Sequence, residues 1–237
     1  PLLIRGIGPT LASFGVPNVL LDPQLKVLSA TGSELANNDD WGLSANSLTV
    51  ADTAAVVGAF ALGKSAKDAA ILTTLPGGAY TAQITGAGGT TGVALAEVYD
   101  TQPRQIVSRL LNASARAQVG TGGNILIAGF TLTGNLPTKV LVRGIGPALA
   151  GFGVTGVLTN PKLEVYRGST KIYENDDWGG TVALSDAFRQ AGAFALTTAT
   201  SRDAALLLSL PAGSYTAQIS GVGATTGVAL VEIYEVP

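Results

Sequence analysis

Almost everything in this chain is said twice, so any fold proposed for it must be one that can be built two times over. Leu2-Leu3-Ile4-Arg5-Gly6-Ile7-Gly8-Pro9 returns as Val140-Leu141-Val142-Arg143-Gly144-Ile145-Gly146-Pro147, and Asn38-Asp39-Asp40-Trp41-Gly42 returns as Asn175-Asp176-Asp177-Trp178-Gly179. The copies are offset by about 137 residues, which divides the chain into two units, each long enough to bury its own core. One stretch has no twin. Asn124 to Thr133 reads NILIAGFTLT and precedes the second copy, whereas the first copy opens on its Arg-Gly-Ile-Gly-Pro phrase. The first unit is therefore expected at 1–100, lacking its leading strands. The second, complete, is expected at 101–237, with 101–137 supplying a linker and those strands.

Within each unit the apolar period changes in the same order. Leu25 and Val27 alternate with Gln24 and Lys26, as Leu163 and Val165 do with Lys162 and Glu164, which is the pattern of a half-buried strand. A polar turn then leads into a second short strand that ends at the Asn-Asp-Asp-Trp cluster, and the two strands read as a hairpin. Val50, Ala54 and Val57, matched by Leu184, Phe188 and Ala191, fall on one helical face closed by Gly58 or Gly192. Three strand candidates follow in each copy: Ala69 to Leu75, Ala79 to Thr85 and Gly92 to Tyr99, then Ala204 to Leu210, Ser214 to Ser220 and Gly227 to Tyr234. Leu75-Pro76-Gly77-Gly78 and Leu210-Pro211-Ala212-Gly213 read as tight connections between neighbouring strands. The last strand is apolar on both faces apart from Glu97 or Glu232, which predicts a central place in a sheet. A further polar strand is expected over Ile106 to Ala113. Many short strands cut by glycine and proline turns predict an all-β chain: two tandem antiparallel β-sandwiches, jelly-roll-like, each with one or two short helices.

Composition narrows the chemistry. Charged residues make up 13% of the chain, about half the usual share, and the net charge of -2 gives no footprint for nucleic acid. Cysteine and histidine are absent, which removes disulfides, thiolate nucleophiles, the usual general base and the commonest transition-metal ligand. No apolar run approaches the roughly 20 residues that span a bilayer, so membrane insertion is not expected. The chain begins at Pro1 and has no methionine, and reads as a processed product or an excerpt.

The motifs were weighed on their chemistry. Arg-Gly-Ile-Gly-Pro links a strand to a helical turn but places Leu11 or Leu149 where a dinucleotide fingerprint needs its third glycine. It reads instead as a strand-ending turn whose glycines permit unusual backbone angles. Arg5 and Arg143 interrupt apolar strands, as do Glu97 and Glu232, so the pairs Arg5–Glu97 and Arg143–Glu232 are expected as structural ion pairs. Asp39 with Asp40, and Asp176 with Asp177, form the only acidic cluster that recurs and are the candidates for a calcium site, weighed against ordinary turn chemistry. Without histidine or cysteine no familiar triad can be built, and adjacent aspartates do not flank a glycosidic bond, so no enzyme is expected. Asn112-Ala113-Ser114 is a lone glycosylation sequon, given no role.

The second unit resembles a β-sandwich module found in tandem or near the end of large secreted and surface proteins of environmental bacteria. The matching text is Arg109 to Ser114 with Val119-Gly120-Thr121-Gly122, then Ile127-Ala128-Gly129-Phe130, Val142 to Pro147, Asn175-Asp176-Asp177-Trp178 and Leu210 to Thr216. From Pro23 or Pro161 onward each unit is also similar to bacterial pre-peptidase C-terminal domains, accessory modules of secreted hydrolases. The resemblance implies export to the cell surface or medium and a non-catalytic structural or adhesive role.

Two readings of function follow. One is a repeat subunit of a bacterial surface fibre, a homopolymer joined by strand complementation, with Asn124, Ile125, Leu126, Ile127, Ala128, Gly129 and Phe130 as the candidate donated strand. The alternative is a carbohydrate- or matrix-binding accessory module of a larger secreted enzyme or adhesin, which calls for exposed aromatics on a flat face.

Overall fold

The structure is a computed structural model that describes residues 1–101 and 110–237; of the strand expected at Ile106 to Ala113, 106–109 lie outside these, 110 and 111 are not in a strand, and Asn112 and Ala113 begin a strand that runs on to Val119. Two compact units divide the chain, Pro1–Leu110 and Leu111–Pro237. Among the described residues no helix is long and apolar enough to cross a membrane.

The first unit contains β1 (Leu2–Ile7), β2 (Pro23–Ser29), β3 (Glu34–Asn38), α1 (Ser47–Val56), β4 (Ala69–Thr73), β5 (Tyr80–Gly86) and β6 (Leu95–Asp100). The second contains β7 (Asn112–Val119), β8 (Leu126–Leu132), β9 (Thr138–Ile145), β10 (Pro161–Arg167), β11 (Thr170–Asn175), α2 (Val182–Ala191), β12 (Ala204–Leu210), β13 (Gly213–Gly221) and β14 (Gly227–Glu235). In the second unit the sheets run β12-β9-β14-β7 and β11-β10-β13-β8, all antiparallel. Eight strands in this order form a jelly roll. Among the described residues the first unit has the same order less one strand in each sheet, β4-β1-β6 and β3-β2-β5.

Pleating explains how one sheet carries two cores. Along β9, Val140 and Val142 face the opposite sheet and join Leu163, Val165, Ala217, Ile219, Val231 and Ile233. Leu141 and Ile145 face the other way, under a layer formed by Trp178, Phe188 of α2 and Leu196. Thr181 caps α2 by accepting the Leu184 N–H, and Gly192 ends it with φ 70. The first unit repeats the plan with Ile4, Leu25, Val27 and Ile71 between its sheets and Leu3, Trp41, Val50 and Ala54 outside.

Three local expectations change. The last strand is central in the second unit, as β14, but among the described residues β6 ends its sheet in the first. The Leu210–Gly213 connection joins β12 to β13, which lie in opposite sheets, so it is a crossover at the sandwich edge and not a link between paired strands. Gly8 and Gly146 have φ of -132 and -130, outside the left-handed region. They are glycines because a Cβ there would sit 1.9 Å from the Leu20 carbonyl oxygen or 2.1 Å from that of Leu158. Close approach of two backbones is the constraint.

Candidate functional site

Polar chemistry enters the core at the strand centres of β1/β6 and β9/β14. Arg143 lies opposite Glu232, and Arg5 opposite Glu97, as direct cross-strand partners. Arg143 is fully buried; its Nε and Nη2 donate to Glu232 Oε2 at 2.8 and 2.5 Å, and Nη1 donates to the Phe194 carbonyl at 2.6 Å. The second carboxylate oxygen accepts the Tyr234 hydroxyl at 2.7 Å. The guanidinium also sits 4.2 Å from the ring centre of Phe194 and 4.8 Å from that of Phe188. Arg5 repeats the set less one hydrogen bond: Nε donates to Glu97 Oε2 at 2.7 Å, Nη1 donates to the Phe60 carbonyl at 2.6 Å and Tyr99 donates to Glu97 at 2.9 Å, while Nη2 lies 2.5 Å from Glu97 Oε2 as an ion pair but has no hydrogen-bond partner. Burial, and then the neighbouring carboxylate, push the Tyr99 hydroxyl up to about 12 and raise that of Tyr234 as well. Charge, carboxylate and phenol are thus spent on one another, and the arrangement holds three elements together.

A second buried acid escaped the sequence reading. Asp203, fully buried, accepts N–H groups of Gly146 at 2.8 Å and Ala148 at 3.2 Å and the Ser201 hydroxyl. Asp68 does the same for Gly8 and Thr10. Each carboxylate closes the turn after the Arg-Gly-Ile-Gly-Pro phrase, satisfying donors that the turn leaves unpaired. The available signal was an acid at the same repeat position, directly ahead of an apolar strand.

The Asn-Asp-Asp-Trp turns divide their labour. Asn175 Oδ1 accepts the Ala205 N–H at 2.9 Å and its amide donates to the Asp177 carbonyl at 2.9 Å; Asn38 bonds Ala70 in the same way. Trp178 and Trp41 are buried and donate their indole N–H to the carbonyls of Thr198 and Gly63. Asp39, Asp176 and Asp177 are exposed and Asp40 half-buried. Among the described residues no three acidic side chains converge as a metal group. Calcium at these turns would take most of its six to eight ligands from carbonyls and water.

The strongest difference between the units lies at one side of the sandwich. In the second unit β7 pairs with β14 and β8 with β13. Leu126, Ala128, Phe130 and Leu132 of β8 and Val119 of β7 cover the core from that side, with Phe130 stacked on Tyr215 at 5.5 Å. The unpaired stretch of the sequence, Asn124 to Phe130, is therefore placed in its own unit, Asn124 and Ile125 in the approach and the rest in β8. In the first unit β5 and β6 have no such neighbours among the described residues. Ile233 is 8% exposed and its equivalent Val98 is 42%; Ala94 and Ala96 are open where Ala229 and Val231 are buried. Tyr80, Ala82 and Ile84 are half-buried where Tyr215, Ala217 and Ile219 are buried.

Fold and site together define a class of protein: a tandem jelly-roll chain whose units each carry an arginine–glutamate–tyrosine cluster around a fully buried arginine. No protein-family model matches the chain, and no curated protein matches it.

Proposed function

We propose that the chain is a non-enzymatic extracellular structural protein, a repeat subunit of a bacterial surface fibre whose units are joined by β-strand addition. The open side of the first unit carries this reading. Two adjacent strand edges with an apolar strip between them are the surface that strand addition covers. The second unit supplies the template of the missing piece, a polar small-residue strand like β7 beside an alternating apolar strand like β8. Transferred by repeat position, the occupant's Phe130-like residue would face Tyr80, and its Leu126-like residue Ile84. The occupant proposed is such a strand pair from a neighbouring copy. The resemblance to modules of secreted and surface proteins supports the location. Electron microscopy of the native material tests the reading. Ordered filaments with an intermolecular strand on β5 or β6 are expected; dispersed particles, or a first unit completed by strands of its own chain, would overturn it.

A second reading, a carbohydrate- or matrix-binding accessory module, draws on one observation. Phe14 and Phe152 are 61% and 65% exposed at equivalent places, each held edge-on at 4.9 Å by Phe60 or Phe194. Exposed, positioned rings suit sugar faces. Retention on insoluble polysaccharide that is lost on Phe14→Ala with Phe152→Ala would favour this reading; no retention would remove it.

A further inference from the structure

The two units differ at one more point, inside the outer core. Ala59 donates its N–H to the Ala54 carbonyl at 2.8 Å, and Ala193 donates to the Phe188 carbonyl at 2.9 Å, so Ala54 stands where the second unit has Phe188. The polar and aromatic shell is kept, Trp41 for Trp178, Arg5 for Arg143, Phe60 for Phe194 and Tyr99 for Tyr234, while Val50 stands for Leu184. The largest loss in the first unit is one phenyl ring. In its place is a cavity of about 90 Å³ bounded by Trp41, Val50, Ala51, Ala54, Leu62 and the Arg5 guanidinium. Ala55 and Ala61 also line it and are exposed, so they mark its mouth.

We propose that this cavity is a binding site for a single neutral aromatic ring, occupying in the first unit the place of the Phe188 side chain in the second. Three observations converge on that ligand class. Apart from the Arg5 guanidinium the walls are apolar, and an apolar cavity left by one missing side chain takes up a benzene-sized ring. Arg143 meets Phe188 at 4.8 Å, whereas Arg5 has only Phe60 at 4.6 Å and Tyr99 at 5.9 Å, leaving one face of the guanidinium for a third ring. Glu97 already neutralises Arg5, so an anionic ligand would compete with a carboxylate at 2.5 Å and a cationic one would face a buried positive charge. The site is independent of the strand groove, lying on the opposite face of the β4-β1-β6 sheet.

The test is a titration of the full chain with fluorobenzene, followed by ¹⁹F NMR, on three proteins. Wild type is expected to bind saturably. Ala54→Phe, which fills the cavity, is expected to weaken binding at least about tenfold. Phe188→Ala is expected to gain a second site of the same kind. Absence of saturable binding to wild type, unchanged binding in a folded Ala54→Phe protein, or no gain in a folded Phe188→Ala protein would each overturn the proposal. Ala54→Leu serves as the filling variant if the phenylalanine disturbs folding. N-acetylphenylalaninamide, run in parallel, assigns the source of the ring: binding of both probes supports a side chain presented by a peptide, and binding of fluorobenzene alone supports a small free aromatic.

Discussion

Glu232→Ala asks the most of the structure because it strands a charge that has nowhere to go. Arg143 is fully buried. Removing the carboxylate takes away the bonds to Nε and Nη2 and the acceptor of the Tyr234 hydroxyl, leaving the Phe194 carbonyl and the flanking rings. Breaking a buried pair from one side costs about 3–5 kcal/mol, a large part of the roughly 5–15 kcal/mol that holds a domain folded. At about 4 °C per kcal/mol for a unit of this size, the second unit's melting point should fall by roughly 12–20 °C. Glu97→Ala should cost the first unit less, about 1–3 kcal/mol, because the Glu97 side chain is 14% exposed against 6% for Glu232 and water can reach the orphaned charge. Each unit contains one tryptophan, so Trp41→Phe and Trp178→Phe backgrounds isolate the two melts by fluorescence. The double variant Arg143→Met with Glu232→Leu should regain most of the loss. A second-unit melt unmoved by Glu232→Ala, or a larger loss from Glu97→Ala, would refute this account of the cluster.

The glycines of the repeated phrase should separate by what their added Cβ meets. Gly146→Ala drives it against the Leu158 carbonyl and should cost at least about 4 kcal/mol, whereas Gly144→Ala meets the Ile219 side-chain tip at 2.6 Å, which can give, for about 1–3 kcal/mol; urea melts rank them. Alkali should weaken the first unit between about pH 10 and pH 12. Its Tyr99 ionises near 10 when unfolded and near 12 when folded, so the unfolded state sheds its proton first and stability falls as pH rises through that window. A Tyr99 absorbance titration with an ordinary midpoint would contradict this. Finally, Val98→Lys should leave the first unit's melt within about 0.5 kcal/mol but block filament formation, while Ile233→Lys at the covered position should unfold the second unit.

The fold was legible because its period was printed twice. Leu163 and Val165 against Lys162 and Glu164 declared their strand, and Arg143 and Glu232, polar at matching places in apolar strands, declared each other. The aspartates that cap the turns did not, since Asp68 and Asp203 look like any loop acid until the backbone N–H groups they accept are located in space. The Pro-containing connections misled for a related reason. A tight turn fixes the distance between two strand ends but not whether the strands pair, and here they lie in opposite sheets. The exchange of Phe188 for Ala54 was visible in the text, yet a substitution announces a void only when the surrounding walls stay in place.

That both open edges of the first unit lie on one side of its sandwich also bears on symmetry. A groove that accepts strands is a different surface from the strands that fill it, so association through it is heterologous and has no two-fold axis. Copies joined this way would not stop at a dimer. Unless the rotation between successive copies closed a ring, growth would be open, and every assembly would have two unlike ends.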